Sequence, residues 1–325
     1  MNHPRAITFE LITSTALFSH GSNPKGDAEV RAPPFEALAR YFFRALVGDR
    51  LSAPCGGATA TCTCLRCEEG RVFGSADHGK SVALVVEGNA SNRGTCNLLP
   101  HQNSSPSSAV VPEQELFLQL MPALPTTRDE NLKAAGATLL VGLLLGGIGQ
   151  RSRRGAGSLR IKSLKGPIGI DISAFQQASS VKDYAKALET VLRDAKNMAL
   201  ASVCPLPHQA AGGTFPMLTK KSAGIMLMEF DAKSESDARA EVMFKLRRHK
   251  NAAFGLPYLK PAQGDNEKRG RHASPLWIRL APFHKRWLAT LTVMKSGTLA
   301  GNPGKLDKYL DDIHTRHGGI SVAIP

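Results

Sequence analysis

The residues in this chain most able to do chemistry are arginines spaced by glycines. From Gly146 to Ser158 the order is Gly-Gly-Ile-Gly-Gln-Arg-Ser-Arg-Arg-Gly-Ala-Gly-Ser. Between Gly146 and Gly166 there are six basic residues (Arg151, Arg153, Arg154, Arg160, Lys162, Lys165) and no acidic one. Glycine permits turns with positive φ and lets backbone N–H groups approach an oxyanion, and a guanidinium fork grips phosphate through paired hydrogen bonds. The GxxxxGK[ST] order of a nucleotide-phosphate loop is absent, and three arginines interrupt any dinucleotide pattern. Gly146, Gly147, Gly149, Arg151, Arg153, Arg154, Gly155, Gly157 and Ser158 are therefore expected to cradle a sugar-phosphate backbone. The bland alternative is a solvated basic turn after a helix.

A second cluster is made of sulfur. Cys55, Cys62, Cys64 and Cys67 place four thiols within 13 residues. Thiolates in tetrahedral array suit zinc, and Cys62, Cys64 and Cys67 are close enough for a compact knuckle. The spacing departs from paired CxxC motifs, so Cys96 or His78 stands as an alternative fourth ligand. The competing reading is an insertion whose cysteines bind nothing. Any such metal would be structural, because four protein ligands leave no open position.

General acid-base chemistry on RNA needs a base, an acid and a phosphate-stabilising group. His20, Lys25 and Asp27 share one loop and could supply them, although loop histidines mostly face water. No HExxH, GxSxG or DxD-type metal pair with supporting context accompanies them.

These groups are placed by alternating strand and helix patterns. Residues 7–14 alternate as a strand, and Pro33 and Pro34 introduce a helix ending near Gly48, with Phe35, Leu38, Phe42 and Leu46 as its apolar stripe. Strands follow at 82–87, 115–121 and 158–164, with a helix over 127–145; residues 88–112 read as an exposed loop or insertion. The order is strand–helix–strand–strand–helix–strand, that of a ferredoxin-like domain. The second half carries helices over 181–199, 237–250 and 306–314, and strands over 224–230, 275–280, 287–294 and 320–324. The fold class is α+β, with domains at 1–166 and 167–325 and a cysteine-rich insertion near 50–70.

Composition bounds the function. With 41 Lys+Arg against 27 Asp+Glu, the 325-residue chain carries +14, which favours nucleic acid or another anionic surface. The 42% hydrophobic content excludes a fibrous or wholly disordered chain. No secretory signal is visible, and the uncharged run 134–150 falls short of the ~20 apolar residues of a bilayer span. A cytoplasmic setting is expected. Only 19 aromatic residues occur, none in an RNP-like strand, so charge rather than base stacking should dominate RNA binding. Three to five phosphate contacts imply a log–log salt slope of roughly −2 to −4.

The 146–158 loop resembles the signature loop of the RAMP proteins of CRISPR effector complexes. Ile7–Leu17, the Gly21–Asp27 loop, Arg31-Ala-Pro-Pro-Phe35, the Arg40…Arg44 helix, Val72-Phe-Gly-Ser75, Phe254-Gly-Leu-Pro257 and Arg271-His-Ala-Ser-Pro-Leu276 are similar, in order, to the largest RAMP subunit of the type III-B (Cmr) complex. The resemblance implies two ferredoxin-like (RRM-like) domains and no catalytic centre. It also implies a place at the 3′ end region of the guide RNA, beside a smaller RAMP subunit and a backbone RAMP subunit, capping the filament for target RNA capture. On that basis Arg40 and Arg44 would face guide RNA or a neighbouring subunit, and Lys250, Arg269 and Arg271 would widen the basic surface. The alternatives are a metal-independent CRISPR endoribonuclease and a scaffold with little direct RNA contact.

Overall fold

The structure, a computed structural model, describes residues 4–23, 25–51, 62–87, 92–100, 106–204, 215–247, 254, 273–296 and 304–325. The first sheet is built from β1 (Ile7–Thr13), β2 (Val82–Glu87), β5 (Glu115–Pro122) and β6 (Leu159–Lys165), in the order β2-β5-β1-β6 and antiparallel throughout. Alternation sets its register. Ile7, Phe9 and Leu11 pair with Leu120, Leu118 and Leu116, and all six are buried on the core face.

Helices α1 (Ala32–Val47) and α3 (Asp129–Leu145) cover that face. In α1 the two prolines sit in the first turn, where a backbone N–H has no helical partner to lose. Its predicted stripe of Phe35, Leu38, Phe42 and Leu46 is fully buried. Helix α3 is buried on every side from Ala134 to Leu145, because it lies between α1 and α5 (Val181–Ala201). The short α4 (Ser173–Gln177) leads into α5.

The second sheet repeats the plan. Strands β7 (Ala223–Phe230), β8 (Leu276–Phe283), β9 (Arg286–Met294) and β10 (Ile320–Val322) run in the order β10-β7-β9-β8, with α6 (Glu235–Arg247) between β7 and β8 and α7 (Gly304–His317) between β9 and β10. Counted within each module, both sheets have the order 4-1-3-2. Two similar ferredoxin-like modules are therefore present. On β8, Leu276, Ile278 and Leu280 join the core formed with α6 and α7, whereas Trp277 joins the large core of the first module. One sheet thus packs α6 and α7 on one face and the first module on the other.

Two segments differ from expectation. Within 88–112, residues Arg93–Asn97 (β3) and Pro106–Val110 (β4) form a hairpin instead of an exposed loop. Ala109 is buried with Ala16, Phe18 and Ala156, and Leu17 bridges Val110. The small residues of β4 give no strong strand signal, and only docking onto Leu17 and Phe18 pins them there. Part of the cysteine-rich insertion is likewise helical, as α2 (Leu65–Phe73).

Candidate nucleic-acid interface

The glycine loop begins where α3 stops, at Gly146, whose N–H still bonds the Gly142 carbonyl at 2.9 Å. It folds against the chain itself. The Ile148 N–H donates to the Gly157 carbonyl at 3.0 Å, Gln150 N–H to Phe18 at 2.7 Å and Gly157 N–H to Ala16 at 2.9 Å. The Thr15 hydroxyl donates to the Gly155 carbonyl at 2.8 Å and accepts the Ser158 N–H at 3.0 Å. The Ser158 hydroxyl in turn accepts the Leu280 N–H of β8 at 3.0 Å. Gly149 and Gly157 are demanded by this packing. Their φ values are +82° and +62°, and a Cβ on Gly149 would lie 2.5 Å from the Phe18 carbonyl oxygen. The glycines therefore serve backbone-to-backbone contact within the protein, and at least five loop N–H groups are already used.

The three loop arginines have separate fates. Arg151 is exposed and left-handed, at φ 58°. Arg153 turns inward, with its guanidinium carbon 4.4 Å from the Trp277 ring centroid and 5.3 Å from that of Tyr41, and it donates to the Ser274 carbonyl. Arg154 donates to the Ser274 hydroxyl at 3.1 Å and to the Phe254 carbonyl at 2.7 Å. Burial lowers the pKa of Arg153, and brings that of Arg154 down to about 10. Of the three arginines expected at phosphate, Arg153 and Arg154 contact Ser274 and Phe254 in the second half of the chain, and Arg151 faces solvent.

Arg40 and Arg44 are also engaged. Arg40 bonds Glu36 at 3.1 Å, Glu69 at 3.2 Å, and the carbonyls of Phe73 and Gly74 at 2.5 and 2.8 Å. Arg44 pairs with Glu69 at 3.0 Å and stacks over Phe215 at 4.6 Å. Their four-residue spacing does put them on one face of α1, but that face meets α2. The basic strand β6 is neutralised across the sheet as well: Lys162 pairs with Glu115 and Lys165 with Glu10, each at 2.6 Å, and Arg160 pairs with Glu113. Lys250, Arg269 and Arg271 lie outside the described residues, as does Cys55.

Sequence reasoning missed the groups that receive these arginines. Trp277, Tyr41, Ser274 and Glu69 are distant in sequence from their partners, so no local pattern marks them. It also missed buried Arg279 on β8, which donates to the Leu159 carbonyl at 2.9 Å and the Tyr184 hydroxyl at 3.3 Å, and so ties the modules together. In the His20 loop, Asp27 pairs with Arg93 at 3.6 Å and the His20 carbonyl accepts from Arg31 at 2.8 Å.

The sulfur cluster is partly assembled. The Sγ atoms of Cys62, Cys64 and Cys67 all lie within 4.8 Å of one another, at the N-terminal end of α2, and can hold a metal ion. Among the described residues, no helix is long and apolar enough to cross a membrane.

Two 4-1-3-2 modules that meet at the glycine loop make a duplicated ferredoxin-like architecture. No family model matches the chain. The CRISPR system Cmr subunit Cmr1-1 of Pyrococcus furiosus is 24% identical over 291 residues, covering 83% of this chain and 80% of that protein. The crystal structure of Cmr1 from Pyrococcus furiosus in its apo form superposes with a TM-score of 0.61 at 19% identity, over 97% of this chain and 98% of that one. A chain in the cryo-EM structure of the type III-B Cmr-beta bound to cognate target RNA gives 0.62 at 13% identity, over 96% and 99%. The chain is thus similar in sequence to Cmr1-1 and shares the fold of these Cmr structures.

Proposed function

We propose that the protein is a non-catalytic, cytoplasmic RNA-binding subunit of a type III-B CRISPR effector complex. It contacts the 3′ end region of the guide RNA and caps the backbone filament for target RNA capture, beside a smaller RAMP subunit and a backbone RAMP subunit. The observation that carries this assignment is exposed Arg151 in a glycine loop whose other two arginines bind the second half of the chain. Residues 247–271 carry seven Lys+Arg and two acidic residues. Arg154 binds Phe254, inside that segment, and Ser274, just beyond it, while Arg153 binds Ser274 as well. Arg153 and Arg154 are thus positioning residues that fix Phe254 and Ser274 beside the glycine loop. Phosphate is gripped by Arg151, with Lys250, Arg269 and Arg271 as further contacts. Arg40 and Arg44 shape the module from within.

A net +14 suits this task, because most of the affinity for a single strand comes from neutralised phosphates. The test is RNA binding to the assembled complex as a function of salt. Arg151→Glu should weaken guide-RNA retention about tenfold and make the log–log slope shallower by roughly 0.7, the contribution of one phosphate on a single strand, without changing the melting temperature. Unchanged affinity and slope in folded Arg151→Glu would remove the loop from the interface. Metal-independent cleavage of labelled repeat RNA, abolished in His20→Ala, would instead favour the endoribonuclease.

A further inference from the structure

The cysteine cluster plays no part in RNA binding as proposed above, and it has its own geometry. We propose that Cys62, Cys64 and Cys67 form three thiolate corners of a structural zinc site, completed by one further donor, and that this site fixes the N-terminal end of α2. Zinc–sulfur bonds of about 2.3 Å in a tetrahedron set sulfurs about 3.8 Å apart. The three Sγ atoms, mutually within 4.8 Å, need to move by no more than about 1 Å to reach that spacing.

The surroundings favour thiolates. Cys64 caps α2 and Cys67 lies in its first turn, where the positive end of the helix dipole stabilises negative charge. Both are buried, at 1% and 0% exposure, so they are shielded from oxidants and competing water. The third ligand is positioned by Arg71, which donates to the Cys62 carbonyl at 2.5 Å while pairing with Glu68. The neighbouring acid is thereby already balanced, and the zinc's positive charge can be met by sulfur.

A purpose follows from what α2 does. It has nine residues, too few to be stable by itself. Its C-terminal carbonyls at Phe73 and Gly74 are held by Arg40, and its middle is held by Glu69 to Arg40 and Arg44. Its first turn carries the cysteines. Zinc closes the third attachment and keeps Glu69 where two arginines of α1 require it. The bound metal has no reaction to perform.

The test uses the full chain, purified under reducing conditions without chelator. Metal analysis should find about one zinc per chain. Exchange into cobalt(II) should produce tetrahedral visible bands together with a near-ultraviolet thiolate charge-transfer band, whose intensity counts three or more sulfurs. Cys67→Ser should lose the metal and most of that band. Chelation of the wild type should lower its melting temperature by several degrees and leave that of Cys67→Ser unmoved. Because cobalt spectroscopy is done on the wild type, the test survives a variant that fails to fold. Substoichiometric zinc with no thiolate–cobalt band, or a band retained in Cys67→Ser, would overturn the site; iron with visible sulfide absorption would overturn its identity as zinc.

Discussion

The guanidinium of Arg153 lies 4.4 Å over the ring of Trp277, so a loop of the first module and a strand of the second meet through one cation–π contact. Tyr41 of α1 closes the group, with its ring 4.9 Å from that of Trp277. A partly desolvated pair of this kind contributes about 1–2 kcal/mol, and the charged hydrogen bond to Ser274 adds about 1.5–3 kcal/mol. Arg153→Ala should therefore destabilise the protein by about 2–4 kcal/mol, and Trp277→Phe by less than Trp277→Ala, in denaturant titrations. RNA affinity of refolded Arg153→Ala should drop less than that of Arg151→Glu, since only the latter loses a direct contact.

Glu69 carries two arginines on one carboxylate. Its side chain is 10% exposed, and those of Arg40 and Arg44 are 26% and 32% exposed, so solvent screens the pairs in part. Glu69→Gln should cost about 1–3 kcal/mol, because two half-buried cations lose their counter-charge. Exchange protection of the α2 amides should fall before that of α1. Equal loss along both helices would mean that the carboxylate holds the whole module rather than α2.

The positive-φ glycines offer a sharper contrast. A Cβ on Gly157, at φ +62°, would collide with the Ile148 carbonyl oxygen. Gly157→Ala should cost on the order of 3 kcal/mol or more from backbone strain plus overpacking. Gly79→Ala, with nothing within 4 Å of its Cβ, should be close to neutral in the same melting assay.

Acid sensitivity should appear at the start of α5. The Ser180 and Ser179 hydroxyls donate to the Asp183 carboxylate at 2.7 and 3.0 Å, and hold its pKa below the ordinary carboxylate range. Its folded pKa is depressed, so its contribution is complete above the unfolded pKa and disappears as pH falls through the folded one. The melting temperature of the wild type should exceed that of Asp183→Asn at pH 6, and the two should converge in the acid range below the usual aspartate pKa. A constant gap down to the lowest pH at which the protein folds would assign the difference to something other than this carboxylate.

Much of this protein was determined by local sequence. Alternation in β1, the stripe of Phe35, Leu38, Phe42 and Leu46, and the glycines ending α3 identify their elements because hydrophobic period and φ freedom are properties of neighbouring residues. The strand–helix–strand–strand–helix–strand succession of the first module was legible in the sequence; the order of the strands in both sheets emerged only from their pairing. The fate of the arginines was decided by tertiary structure. A guanidinium looks the same in sequence whether it meets phosphate, Glu69 or the face of Trp277, and which of these it meets depends on residues 25 to 124 positions away. Sequence thus set the cationic supply of the chain, and folding divided it between holding the modules together and facing solvent.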